Sequence, residues 1–180
     1  MTDSTRRRFL ATTVVAAATG LAGCAASLSG NDSEPTDDYS LPAAESSLEI
    51  GMGGRNVFDP EIAHLEVGGT VTWTNDSGNH SATAYHPDND RDRRIPDDAD
   101  SWDSGVIREV GGTFERTFDV PGVYDYYCTP HEPLAMVGTL VVGDPAPADQ
   151  PGLEPPGDDF SSATTDTLET LNAKVRSGLE

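Results

Sequence analysis

One short segment combines three side chains that bind soft metal ions: Cys128-Thr-Pro-His131-Glu-Pro-Leu-Ala-Met136, with the spacing C-x2-H-x4-M. Thiolate and thioether are soft ligands that suit Cu(I), whereas imidazole suits both oxidation states of copper. Two histidines and a cysteine with a weak axial methionine are typical of blue-copper electron-transfer sites. Structural zinc fits less well, because structural zinc sites use more thiolates and thioether binds zinc weakly. The segment therefore predicts three of four copper ligands, and one further histidine is required.

Two upstream histidines are candidates for the missing ligand. His80 follows an Asp-Ser-Gly-Asn turn and begins a predicted strand, and His86 lies further along the same face of that strand. The rise of a strand separates these two residues by about 20 Å, so both cannot bind one ion. His64, which precedes a Gly-Gly pair, is expected to be a surface or packing residue.

These side chains must be positioned by short strands, because residues 47–143 contain short apolar runs punctuated by glycine turns, without long helical periodicity. The predicted strands are residues 48–50, 63–67, 70–74, 80–86, 113–118, 123–128 and 137–142. Seven short strands in about 100 residues predict an all-β domain, an antiparallel Greek-key β-sandwich.

Alternation along the strand before Cys128 predicts the direction of the thiol. It puts Tyr124 and Tyr126 on the face of Cys128, and Asp125 and Tyr127 on the other face. Because an aspartate marks the second face as the more solvated one, we expect Cys128 to point into the domain and Tyr127 to point outward.

The remaining segments flank or interrupt this domain. Residues 25–46 predict a flexible acidic tether, and residues 144–160, rich in Pro, Gly and Asp, predict a second linker. The charged insertion from Pro87 to Asp103 predicts a solvent-exposed surface loop. We expect disordered N- and C-terminal tails, although residues 161–180 have apolar side chains at helical spacing. This last stretch predicts either a short helix that docks on the domain or on a partner, or a frayed end.

Residues 1–24 are expected to direct export rather than to join the fold. Three arginines and Phe9-Leu10 precede an apolar run, residues 11–22, that is too short to span a bilayer. The paired arginines resemble a twin-arginine (Tat) signal, and Leu21-Ala22-Gly23-Cys24 resembles a lipobox. A plain signal peptide with a chance cysteine is the alternative. We therefore expect an exported, extracytoplasmic lipoprotein, anchored to the cell membrane by a lipid on Cys24.

The cysteine count supports a metal at Cys128. Cys24 and Cys128 are the two cysteines of the chain, so no disulfide can form if Cys24 carries a lipid. A single free thiol is unusual in an exported protein, because an oxidising compartment tends to attack or pair it. A bound metal ion is the simplest occupant.

Composition restricts the partners and the setting. The chain has 31 acidic and 11 basic residues and a net charge of -20, and Lys174 is its one lysine. Such a chain repels nucleic acid and anionic lipid, so we expect neither as a binding partner. Acid enrichment with lysine depletion resembles proteins that stay soluble in concentrated salt, where charge repulsion is screened. We therefore expect a halophilic source, with an ordinary acidic protein as the alternative.

Three stretches of sequence carry a resemblance to a known family. They are Val71-Thr-Trp73-Thr-Asn75, then Gly122-Val-Tyr-Asp-Tyr-Tyr-Cys128-Thr-Pro-His131, and then Met136-Val-Gly138-Thr. Because of these three stretches, residues 47–143 resemble the cupredoxins, in particular plastocyanin and the halocyanins of salt-loving archaea. The resemblance implies a cupredoxin-like fold that holds one copper ion.

The resemblance also implies a role for individual residues. It favours His80 over His86 and assigns the copper ligands as His80, Cys128, His131 and Met136. The ring edge of His131 would lie near the surface, where electrons enter or leave, and Tyr127 matches the position of a second electron route in plastocyanin. Ser81 follows His80 where plant plastocyanin commonly has asparagine, and its hydroxyl can still tie the two ligand loops together.

The expected function is one-electron transfer by copper that cycles between Cu(I) and Cu(II). Its expected partners are membrane-bound or soluble redox proteins of a respiratory chain, which it meets as a monomer. No enzyme is expected, because copper oxidases and nitrite reductases need additional histidine clusters and the chain has four histidines. A copper-buffering or copper-delivery protein on the same fold is the alternative, although such proteins usually present exposed Met- or His-rich ligands.

Overall fold

The computed structural model describes residues 39–180. The predicted export signal with Cys24, and residues 25–38 of the predicted tether, lie outside the described residues. The described chain forms β1 (Glu45–Gly53), β2 (Val57–Asp59), β3 (Ile62–Asn75), β4 (Thr83–Ala84), β5 (Thr113–Phe118), β6 (Gly122–Tyr127), β7 (Val137–Val142) and α1 (Ser162–Leu179). No helix between residues 39 and 180 has the length and apolar character needed to cross a membrane.

The long strand β3 connects the two parts of the sheet. The strand order is β2-β1-β3-β7-β6-β4, and β5 pairs with β3 outside this path. Residues 62–65 of β3 run parallel to β7, whereas residues 69–74 pair with β5 in antiparallel register. Gly68 has a φ of 82°, and a side chain at Gly69 would collide with Leu65. The glycine pair therefore bends one continuous strand at the point where we predicted a turn between two strands.

The mostly β fold that the sequence predicts is confirmed, with differences in detail. The pairings of β3 with β1 and with β7 are parallel rather than antiparallel. The strand predicted at residues 80–86 is limited to β4, and β2 was not predicted. The inner core lies around Trp73, which contacts the rings of Trp102, Phe114, Phe118 and Tyr126.

Strand β6 is buried on both faces, which corrects the prediction of a solvated outer face. All six of its residues are buried, and Asp125 is fully inaccessible. Nε of Arg94 donates to one carboxylate oxygen of Asp125 at 2.8 Å, and Oγ1 of Thr139 donates to the other at 2.6 Å. Burial raises the pKa of Asp125, and the Arg94 guanidinium opposes that rise. The aspartate thus marks a paired buried charge, not a face exposed to water.

Helix α1 covers that outer face. Its N-cap, Ser161, accepts a hydrogen bond from the Thr164 backbone N–H, and Leu168, Leu171 and Val175 are buried against the sheet. The structure thus supports the docked helix rather than a disordered or frayed C-terminal tail. The predicted linker 144–160 is also part of the fold, because Leu153 is buried in the same apolar cluster.

The insertion and the end of the tether join the core as well. Between Pro87 and Asp103, the side chains of Arg94, Ile95 and Trp102 are buried, so this segment is not simply a surface loop. Upstream, β1 begins at Glu45, two residues before the predicted start of the domain. The described end of the predicted tether packs partly buried side chains on the apolar cluster beneath α1.

Candidate metal centre

The structure brings the predicted cysteine and two histidines together. The metal-binding atoms of His80, Cys128 and His131 all lie within 4.8 Å of one another. Sγ of Cys128 is 3.6 Å from Nδ1 of His80 and 3.3 Å from Nδ1 of His131. Cys128 follows β6 directly and is fully buried, as the strand alternation predicted.

Met136 completes the group. Its Sδ lies 3.1 Å from Nδ1 of His80, and its side chain is fully buried. Ala135 adopts a left-handed conformation with a φ of 64°, which turns the chain back after the 3-10 helix Glu132–Leu134. The Met136 N–H donates to the His131 carbonyl at 3.2 Å, and the Cys128 N–H donates to the Met136 carbonyl at 3.0 Å. These bonds close the loop so that its first, fourth and last residues face one point.

Asn75 positions the loop that carries His80, a role that sequence reasoning missed. Nδ2 of Asn75 donates to the carbonyls of Gly78, Ile107 and Glu109 at 3.1–3.2 Å. Ile107 in turn exchanges two backbone hydrogen bonds with His80, at 3.2 and 2.7 Å. In the sequence, Asn75 was noted only as the last residue of the Val71–Asn75 stretch that resembles the cupredoxins. That resemblance predicted no role for its side chain.

Ser81 links the two ligand loops, as the resemblance implied. Its Oγ accepts a hydrogen bond from the Thr129 N–H at 2.8 Å and donates to Oγ1 of Thr129 at 3.0 Å. The Ser81 backbone N–H also donates to Sγ of Cys128 at 3.4 Å. The hydroxyl therefore couples the chain after His80 to the chain after Cys128.

Tyr127 does not lie on the surface, which corrects the prediction that it points into solvent. Its side chain is 3 % exposed and stacks on Tyr85 with ring centroids 4.6 Å apart. The Arg91 guanidinium lies over its ring at 5.3 Å. Residues of the insertion and the cluster beneath α1 thus cover a ring that the alternation alone would leave exposed.

The other two histidines are not part of the group. His86 does not continue a strand: it caps the 3-10 helix Pro87–Asn89, and its Nδ1 accepts from the Asp88 N–H. His64 has one ring nitrogen 2.9 Å from the Pro42 carbonyl and the other 2.8 Å from the Gly143 carbonyl. It is a packing residue, as predicted.

The electrostatic setting fits a bound metal cation. Burial lowers the pKa of His80, and the neighbouring His131 lowers it further, which favours the neutral imidazole that can donate a lone pair. Burial raises the pKa of the Cys128 thiol, and the Ser81 N–H opposes this by stabilising the thiolate. A buried thiolate needs a nearby cation. Two imidazoles, one thiolate and one thioether are the donors that suit copper.

Comparison with known proteins leads to the same metal. Residues 44–143 match the family model described as copper binding proteins, plastocyanin/azurin family. Halocyanin from Natronomonas pharaonis is 33% identical over 172 residues, which cover 79% of this chain and 99% of that protein. Chloroplastic plastocyanin from Tetradesmus obliquus is 30% identical over 111 residues, 58% of this chain and 72% of that protein.

The solved structures agree with the sequence relatives. The crystal structure of pseudoazurin from Methylobacterium extorquens AM1 superposes with a TM-score of 0.56 and 25% identity, covering 72% of this chain and 98% of that one. The match to the family model spans more than half of the chain and includes the whole His-Cys-His group. The chain therefore belongs to the plastocyanin/azurin family of copper-binding proteins, the cupredoxins, which are blue-copper electron carriers and hold one copper ion.

Proposed function

We propose that this protein carries single electrons by cycling its copper between Cu(I) and Cu(II), with His80, Cys128 and His131 as ligands and Met136 as a weak axial donor. The convergence of these four side chains at one point of the fold is the observation that supports the proposal. A site that is held by the fold needs few atoms to move when an electron arrives, which favours fast transfer. Bound copper supplies the redox step, and the chain supplies the fixed ligand positions.

Electrons enter and leave through His131. His80, Cys128 and Met136 are at most 2 % exposed, whereas His131 is partly exposed. The imidazole edge is therefore the most direct contact between the copper ligands and a partner. Because Tyr127 lies beneath Arg91 and against Tyr85, we place the route at His131 rather than at Tyr127.

The protein acts at the outer face of the cytoplasmic membrane, held by a lipid on Cys24. The supporting features are the paired arginines and the lipobox-like sequence before Cys24. Residues 25–38 separate that cysteine from the segment of Tyr39 and Leu41 that packs on the domain, and they can span at most about 50 Å when extended. That reach lets a monomer meet membrane-bound or soluble redox proteins of a respiratory chain. The high acidic content favours a halophilic setting.

A copper titration with visible spectroscopy tests the proposal. We expect one copper per chain, an intense thiolate-to-Cu(II) band that reductant bleaches and oxidant restores, and loss of that band in Cys128→Ser and His131→Ala. His86→Asn is the matched control, because asparagine can also cap the 3-10 helix and the residue lies outside the site. A colourless copper-loaded protein, or a His131→Ala protein that keeps its colour, would overturn the ligand assignment. Rapid copper release to a chelator without a reversible redox couple would indicate copper buffering instead.

A further inference from the structure

The outer side of the copper-ligand loop, residues 128–136, contacts the start of α1. Oγ1 of Thr164 donates a buried hydrogen bond to the Glu132 carbonyl at 2.6 Å. Oγ of Ser161 donates to the Pro133 carbonyl at 3.0 Å. Ser161 also caps α1 by accepting from the Thr164 N–H at 3.2 Å, so the two hydroxyls belong to one fixed helix end. Both carbonyls lie between His131 and Met136.

The insertion holds the same loop from a second side. Nε of Arg91 lies 3.0 Å from one carboxylate oxygen of Glu132, and its second guanidinium nitrogen lies 2.6 Å from the other. This two-point pairing fixes the direction of the carboxylate as well as its distance. The Glu132 side chain is 10% exposed and that of Arg91 is 38% exposed, so water screens this contact more than it screens the Thr164 bond.

The backbone of the copper-ligand loop connects Glu132 to the two ligands His131 and Met136. Glu132 directly follows His131, and its carbonyl accepts from both Thr164 Oγ1 and the Ala135 N–H, which closes the turn before Met136. The Met136 N–H is bonded to the His131 carbonyl in the same turn. If the Glu132 carbonyl moved outward, the turn would open and the two ligands on either side of it would separate.

We infer that Thr164, supported by Ser161, is a positioning residue for the copper site: the start of α1 keeps the ligand loop closed and slows the release of copper. The helix belongs to residues 144–180, which lie outside the residues matched by the copper-binding family model. The inference rests on the proposed assignment of His131 and Met136 as ligands. The side-chain hydroxyl of Thr164 forms its hydrogen bonds with Ser161 and the Glu132 carbonyl, so it acts through the loop backbone.

Replacing Thr164 by valine removes the hydroxyl and keeps the shape. In the Cu(I)-loaded full chain, we expect amide hydrogen exchange at Ala135 and Met136 to become about tenfold faster, the factor that corresponds to the loss of one hydrogen bond. Copper transfer to a Cu(I) chelator should accelerate by a similar factor of about ten. Thr170→Val is the matched control, since Thr170 is on the exposed face of α1 and bonds only to Asp166 in the same helix. Thr164→Ser retains the hydroxyl and should behave like the unaltered protein.

The two readouts separate positioning from general stability. The inference is overturned if the Thr164→Val and Thr170→Val proteins show the same rate of amide hydrogen exchange at Ala135 and Met136, or the same rate of copper release. It is also overturned if exchange rises by one common factor throughout α1 and β6, because the residue would then only stabilise the fold. A wrong ligand assignment can be told apart from a wrong role for Thr164, because only a wrong assignment would leave the colour of the His131→Ala protein intact.

Discussion

Ser81 and Thr129, each the residue after a proposed copper ligand, are joined by two hydrogen bonds of 2.8 and 3.0 Å. Ser81 is fully buried, and its hydroxyl also lies 3.0 Å from Oγ1 of Thr83 at the start of β4. The pair therefore connects the loop of His80 to the end of β6 independently of the short β4–β6 ladder. Ser81 thus links the two ligand loops at the position where plant plastocyanin commonly has asparagine.

Replacing Ser81 by alanine should weaken the fold and loosen the site. The Thr129 N–H would lose its acceptor; because Thr129 is exposed and the bond is only partly buried, this loss should cost about 0.5–1.5 kcal/mol of the free energy of unfolding. Urea denaturation of the copper-loaded protein measures this loss, and Ser77→Ala, an exposed substitution in the His80 loop, is the control. Equal midpoints for the two variants would show that the hydrogen bonds between the loops contribute nothing.

Removing one member of the buried Arg94–Asp125 pair should be more severe. Arg94→Met leaves the Asp125 carboxylate uncompensated at 0% exposure, and breaking such a pair typically costs about 3–5 kcal/mol. Urea denaturation should show this loss, while the folded fraction keeps its visible spectrum because neither residue is in the copper site. The double variant Arg94→Met/Asp125→Leu should recover part of the stability. A single variant as stable as the unaltered protein would contradict the assigned role of the pair.

The predictable part of the fold depended on local patterns. β5 and β7 coincide with their predicted strands: β5 alternates between exposed and more buried residues, and β7 is a short apolar run that ends at a glycine turn. The ligand spacing between Cys128 and Met136 was readable for a similar reason, since one turn determines how the loop closes. Both the strands and the ligand loop are determined by residues close together in the sequence, which is why they could be predicted.

The errors arose where distant segments meet. Asp125 looked like a solvent-facing residue because its partner, Arg94, lies 31 positions away in a charged insertion. Tyr127 looked exposed because nothing in its own strand indicates that Tyr85 and Arg91 cover its ring. An aspartate in a strand fits either a solvated face or a buried ion pair, and only tertiary packing distinguishes them.

The anchor can be tested separately from the copper site. Cys24→Ser should move the protein from the membrane fraction to the soluble fraction, because the lipid would no longer be attached. Copper binding and the visible spectrum should not change, since the ligands lie within the domain that begins at β1. Cys24→Ser protein that remains in membranes after a high-salt wash would contradict the lipobox interpretation.

The axial position can be tested by Met136→Leu. This change removes a soft donor and makes the pocket more apolar, so Cu(II), the more charged state, loses more stabilisation than Cu(I) does. Copper and colour should remain, because Cys128, His80 and His131 still provide three ligands, and the reduction potential should rise. Met52→Leu is the control, because Met52 is equally buried but belongs to β1, outside the ligand group. Voltammetry of both variants measures the effect. An unchanged or lowered potential in Met136→Leu would mean that the thioether 3.1 Å from Nδ1 of His80 is a packing contact and not an axial donor.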